Sequence, residues 1–143
     1  MARTEIGLII DQLRTLEAAV TGTSVTYDET PETIGDTPAW VNMPMQGEMS
    51  AQTGWAEDRH TIICACLTRR SLLPSDEALM RPMITRFPDK VHAALTLSST
   101  VAHVGRIEYE YGYIDAFSTP DLPMFGVLFR VEVICKDTIT VAG

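Results

Sequence analysis

Two stretches in the C-terminal third alternate with period two over lengths that exclude a helix. Phe125, Val127, Phe129, Val131, Val133 and Cys135 alternate with Gly126, Leu128, Arg130, Glu132 and Ile134. Ile107, Tyr109, Tyr111 and Tyr113 alternate with Arg106, Glu108, Glu110 and Gly112. Successive side chains of a strand point to opposite faces, so each stretch predicts a strand with one apolar face. The link from Asp115 to Pro123 holds Pro120 and Pro123, which predicts an antiparallel hairpin with a long tip. Asp58 to Arg70 predicts a third strand. Its centre, Ile62 to Leu67, is apolar on both faces, as expected of a middle strand covered on both sides.

Helical signals lie elsewhere. Ile6, Ile9, Ile10, Leu13, Leu16 and Val20 recur at three- and four-residue spacing, one apolar stripe of an amphipathic helix. Arg3, Asp11, Arg14 and Glu17 are expected off that stripe, and Thr21-Gly22 is a plausible stop. Ser75, Asp76 and Glu77 mark a second helix start, where Ser75 can cap and the acids complement the positive end of the dipole. Leu79, Met83 and Phe87 continue one face. Pro82 predicts a kink or break, and Pro88 the start of a further helical piece carrying Val91, Leu95 and Leu97. Short strands are expected at Ser24–Tyr27 and at Ala39–Met43. The order α-β-β-β-α-β-β is α+β, with two main helices packed on one antiparallel or mixed sheet. A length of 143 residues suits a single domain spanning 1–143.

Charge is distributed unevenly. Residues 1–58 hold ten acids and two bases, whereas residues 59–143 hold nine of each, so the whole net charge of −8 belongs to the first part. The window 28–58 has seven acids, Asp28, Glu29, Glu32, Asp36, Glu48, Glu57 and Asp58, and no base. It also carries Trp40, Trp55, Met43, Met45 and Met49 among prolines and glycines. Such a window is either a solvated loop with its tryptophans tucked into the core or a long acidic arm that contacts protein, since aromatics and Met are enriched at interfaces. Arginines outnumber lysines nine to two. Arg69, Arg70, Arg81 and Arg86, at a strand end and on the following helix, could meet the acidic arm of a neighbouring copy, or simply form a solvated face.

Several classes of function find no support. An acidic chain with two lysines is a poor general binder of nucleic acid. Three cysteines, an odd number, fit a reducing compartment better than a disulfide framework. No apolar run reaches the ~18 residues of a membrane span, and Asp11 and Glu17 interrupt the N-terminal stretch, so a secretory signal is not expected. His60, Cys64 and Cys66 share strand parity, but without Cys-x-x-Cys or His-x-x-x-His spacing they are expected as core residues and no metal site is assigned. No Gly-x-Ser-x-Gly turn or phosphate-binding glycine loop occurs. Glu108 and Glu110 share a strand face, opposite the tyrosines, which suggests simple in/out alternation rather than a catalytic pair. No catalytic residue and no cofactor is expected.

Residues 59–139 do resemble one family. The strand HTIICACLTRR ends in basic residues, and a helix then leads to Phe87-x-Asp89-x-Val91-x-x-x-Leu95. The Tyr111-Gly112 step follows, then a closing strand Gly126-Val-x-Phe-x-Val-x-Val133. Together these are similar to the tail terminator (tail completion) proteins of long-tailed bacteriophages and of phage-like gene transfer agents. The resemblance implies a structural virion protein, assembled in the host cytoplasm and located in the viral tail or neck, that is not an enzyme. It implies self-association into a ring, usually a hexamer. That ring caps the tail tube protein, stops tube polymerisation and joins the tail to the head connector. DNA would pass through without specific binding, and the acids of 28–58 would line the channel or its rim, repelling phosphates. The alternatives are a head-completion or stopper protein at the head–tail interface, a small enzyme or ligand-binding module, and an adaptor or chaperone of similar topology.

Overall fold

A computed structural model of the chain describes residues 3–29, 31, 37–69, 75–98, 100–114, 117 and 123–138. The elements are α1 (Ile6–Ala18), β1 (Val25–Tyr27), β2 (Ala39–Gln52), β3 (Trp55–Arg69), α2 (Ser75–Met80), α3 (Met83–His92), β4 (His103–Tyr113) and β5 (Met124–Thr138). The architecture is α+β: one five-stranded sheet in the order β1-β2-β3-β5-β4, with the helices on one face. β1 runs parallel to β2, and every other neighbour is antiparallel.

Strand parity writes the core. The helix-side face carries Trp40 from β2, Ile62, Cys64 and Cys66 from β3, and Phe125 to Cys135 at alternate positions of β5. Ile9, Ile10 and Leu13 of α1 and Met83, Phe87 and Val91 of α3 close over it. At its centre Trp40, Phe87 and Phe129 form an aromatic trio with centroids 4.7, 4.9 and 6.0 Å apart. On the other face Ala39, Val41, Ala65, Leu67, Met124 and Leu128 make a second apolar cluster with Ile114. β3 is therefore a middle strand buried on both faces at Cys64–Leu67, as its composition predicts.

Gly126 is set by close approach of β3. A Cβ at this position would run into the Cys66 carbonyl oxygen and lie 3.2 Å from the Leu67 Cα, and backbone cannot swing aside as a side chain can. Gly126→Ala must push β5 off β3, and we expect a cost of about 1–3 kcal/mol or more, read as a lower urea midpoint. A midpoint equal to the parent protein's would contradict this packing.

Four sequence expectations need correction. The strand expected to stop at Met43 runs on to Gln52 and turns through Thr53 and Gly54 into β3, which starts at Trp55. Residues 39–52 and 55–58 are thus strand rather than loop, joined by the turn at Thr53 and Gly54. Their pattern is unreadable because Pro44–Gln52 is exposed on both faces, so burial imposes no alternation there. The break expected at Pro82 is present, with Pro82 as the N-cap of α3, but Pro88 starts no new helical piece and lies inside α3. The missing N–H of Pro88 removes a single hydrogen bond, and burial of Phe87 and Val91 holds the helix through it. α3 stops at His92, and the left-handed residues Leu97 and Ser98 turn the chain, so Leu97 is buried while Leu95 is exposed. Finally, Glu17 lies on the buried stripe of α1, one step beyond Ile10 and Leu13.

Candidate assembly surfaces

Two carboxyl groups are buried among the described residues. Glu17 is fully buried beneath α1, and its Oε1 accepts a hydrogen bond from Asn42 Nδ2 at 2.7 Å. The same Nδ2 donates to the Tyr27 carbonyl at 2.8 Å. Glu17 Oε2 and Asn42 Oδ1 have no partner among the described residues. Burial pushes the Glu17 carboxyl up to about 8, only partly offset by the bonds from Asn42 and Cys64 and by the charge of Arg14. Burial likewise raises the Cys64 thiol well above its ordinary value, helped by the neighbouring Glu17, so it is no nucleophile at neutral pH. The second group is Asp58, whose Oδ1 accepts from Arg3 Nε at 3.1 Å. Beside it, Asp137 accepts from the Thr4 backbone N–H at 3.0 Å and from its hydroxyl at 2.7 Å. Two carboxylates thereby hold the positive end of α1 against the sheet. Both arrangements tie helix α1 and its start to the sheet.

The open surface is the helix-free face beyond the second apolar cluster. Gln46 and Glu48 of β2, Glu57, Arg59 and Thr61 of β3, Arg130 and Glu132 of β5 and Glu108 and Glu110 of β4 share it. A shallow groove of about 360 Å³ is lined by Gln46, Gly47, Glu48, Arg59, Thr61 and Glu132. The arginines here are matched by acids: Arg59 with Glu57 at 3.5 Å, Arg106 with Glu108 at 3.3 Å, Arg130 with Glu110 at 2.7 Å. A face of alternating, mutually paired charges offers no net attraction to a polyanion. Among the described residues no group of three or more His, Cys, Asp or Glu side chains is arranged to hold a metal ion. None of the helices among them is long and apolar enough to cross a membrane.

The predicted contact residues scatter. Trp40 is not available to a partner: it is fully buried, and its Nε1 donates to the Thr23 hydroxyl at 2.9 Å. Trp55 is 38% exposed at the β2–β3 turn, and Met49, at 62%, lies on the helix-side face where no helix covers it. Met45 is exposed in the bulge between Pro44 and Gln46, and Met43 is half-buried. Arg81 pairs with Glu77 one helical turn away, and Arg86 donates to the Thr21 carbonyl. Of the acids, Glu48 and Glu57 share the helix-free face, Asp28 and Glu29 are exposed beyond β1 with Asp28 3.9 Å from Arg14, and Asp58 is buried on the opposite face. Glu32, Asp36 and Arg70 lie outside the described residues, as do the side chains of Arg69 and Ser75.

Sequence reasoning missed two features. Tyr109 and Tyr113 do not turn into the core; β4 is an edge strand that the helices barely reach, so both rings stay about half exposed. The buried acid Glu17 was detectable, since its spacing from Ile10 and Leu13 continues the apolar stripe. No family model matches the chain, and no curated protein matches it in sequence.

Proposed function

We propose that this chain is a ring-forming structural subunit of a virion tail, a tail terminator that caps the tube, stops its growth and joins it to the head connector. The reading rests on the resemblance carried by residues 59–139 and on one surface observation. The large apolar side chains Met45, Met49 and Trp55 are all exposed along the distal part of the β2–β3 hairpin, Met49 on the helix-side face and Trp55 on the helix-free one. Exposed Met and Trp on a paired, ordered strand are suited to protein contact, because they bury large area without ordering a loop first. Glu48 and Glu57 stand on the face opposite the helices. In a ring with its helices outward they would face the channel, where Glu57 offsets the attraction of its partner Arg59 for passing DNA and Glu48 adds negative charge that repels phosphates. Asp58 takes no part, being committed to Arg3.

Electron microscopy of the purified protein, alone and mixed with tail tubes, tests this. Closed rings, usually six-fold, that seat on tube ends are expected. Rings that bind only the head connector would identify a stopper instead. A chain that stays monomeric in both settings would refute the reading.

A further inference from the structure

Resting on that ring-forming role, we infer that the copies join edge to edge: β4 of one copy pairs antiparallel with the distal part of β2 in the next. Both sheet edges are open among the described residues. β1 covers only Ala39, Trp40 and Val41 of β2, which leaves Glu48–Gln52 without a neighbour on that side. From Ile107 to Gly112 β4 pairs on one side alone, with β5, whereas nearer its start the Val104 N–H is taken by the Leu95 carbonyl. Unpaired strand edges present rows of N–H and C=O groups that template the addition of another strand.

Strand direction favours this join. β2 is antiparallel to β3, β3 to β5 and β5 to β4, so β2 and β4 run in opposite senses at the two edges. Setting β4 beside the next copy's β2 continues the antiparallel alternation from one sheet into the next. Such a contact uses two different surfaces, which is what a ring of identical copies requires.

Side chains bear on the choice between this pairing and the two-fold ones, and on its register. β4 against β4 centred on Tyr109, the register that overlaps the exposed tyrosines most, would bring Glu108 against Glu110 of the other copy, and β2 against β2 centred on Glu48 would set that acid against its own copy; like charges directly opposite are unfavourable. In β4 against β2, Tyr111 opposite Met49 sets Tyr109 against Ala51 on the helix-side face. Met49 is then flanked by the two rings, and the small Ala51 leaves room for Tyr109, which is 55% exposed in the single copy. On the other face Glu110 meets Ser50, Glu108 meets Gln52 and Gly112 meets Glu48. A register two residues away, with Tyr109 opposite Met49, sets Glu110 against Glu48 and is disfavoured.

Cysteine cross-linking of the full chain tests the join, because directly opposed residues on paired strands lie within disulfide reach. The chain's own Cys64, Cys66 and Cys135 are buried, so the parent protein should give no linked species. Oxidised S50C/E110C should run as a ladder of linked chains on a non-reducing denaturing gel. Each single variant should stay unlinked, and a mixture of the two should stop at dimers. A51C/Y109C reports the same register from the opposite face and covers the case in which the first pair fails to fold. Linked dimers from E110C alone would replace this interface with a two-fold β4 contact. Rings by microscopy without a ladder from either pair would overturn the edge contact and leave the ring standing. Absence of both rings and ladder would overturn the ring itself.

Discussion

Raising the pH from about 4.5 to about 8 destabilises this protein through a single side chain, and Glu17→Gln abolishes that loss. The folded chain holds the Glu17 proton up to about pH 8, whereas an unfolded chain releases it near the ordinary value of 4.5. Below the lower value both states are protonated and the carboxyl imposes no penalty. Between the two values only the unfolded state has released its proton, so stability falls steadily as the pH rises. Above about 8 both states are ionised and the deficit is complete. Three and a half pH units at about 1.4 kcal/mol each give a loss of about 5 kcal/mol, comparable to the whole stability of a small domain. Glutamine keeps an oxygen for Asn42 Nδ2 and cannot ionise. Urea midpoints across this pH range should therefore converge for the two proteins at low pH and separate towards pH 8, with the variant the more stable. Parallel curves would mean that Glu17 is ionised in the fold or reached by water.

Trp40→Ala should cost about 3–5 kcal/mol, the range for truncating a large aromatic in a packed core. Trp40 is fully buried between Phe87 and Phe129, and its indole N–H is bonded to the Thr23 hydroxyl. Removing it empties the space where α3 meets β2 and β5. The variant is expected to melt cooperatively at a much lower temperature or to lose its cooperative transition, and Trp40→Phe, which keeps a ring, to lose less. Trp55→Ala makes the contrast. Part-exposed at the hairpin turn, it should cost clearly less than Trp40→Ala, about 1–2 kcal/mol, while weakening assembly if the distal hairpin carries protein contacts. Equal stability losses for the two tryptophans would contradict the burial that separates them.

The tryptophans also show where sequence reasoning stops. Both lie in one acidic, proline-dotted window, and nothing local distinguishes them. One faces the helices through β2 and the other sits at a turn beyond them. The same holds for the acids: Glu57 and Asp58 are adjacent in the chain, but strand parity sends one to the open face and the other to Arg3 beneath α1.

Local order was legible wherever burial acts on consecutive residues of one element. The alternation of β5 and the doubly apolar centre of β3 follow from period two, and most of α1 from period 3.6, because each element must hide one face from water. That placed every strand and both helical regions in their correct order. The distal hairpin and the fate of each tryptophan were decided only by tertiary structure. Each depends on whether an element distant in sequence covers a given patch of sheet, and a residue's own neighbours carry no record of that.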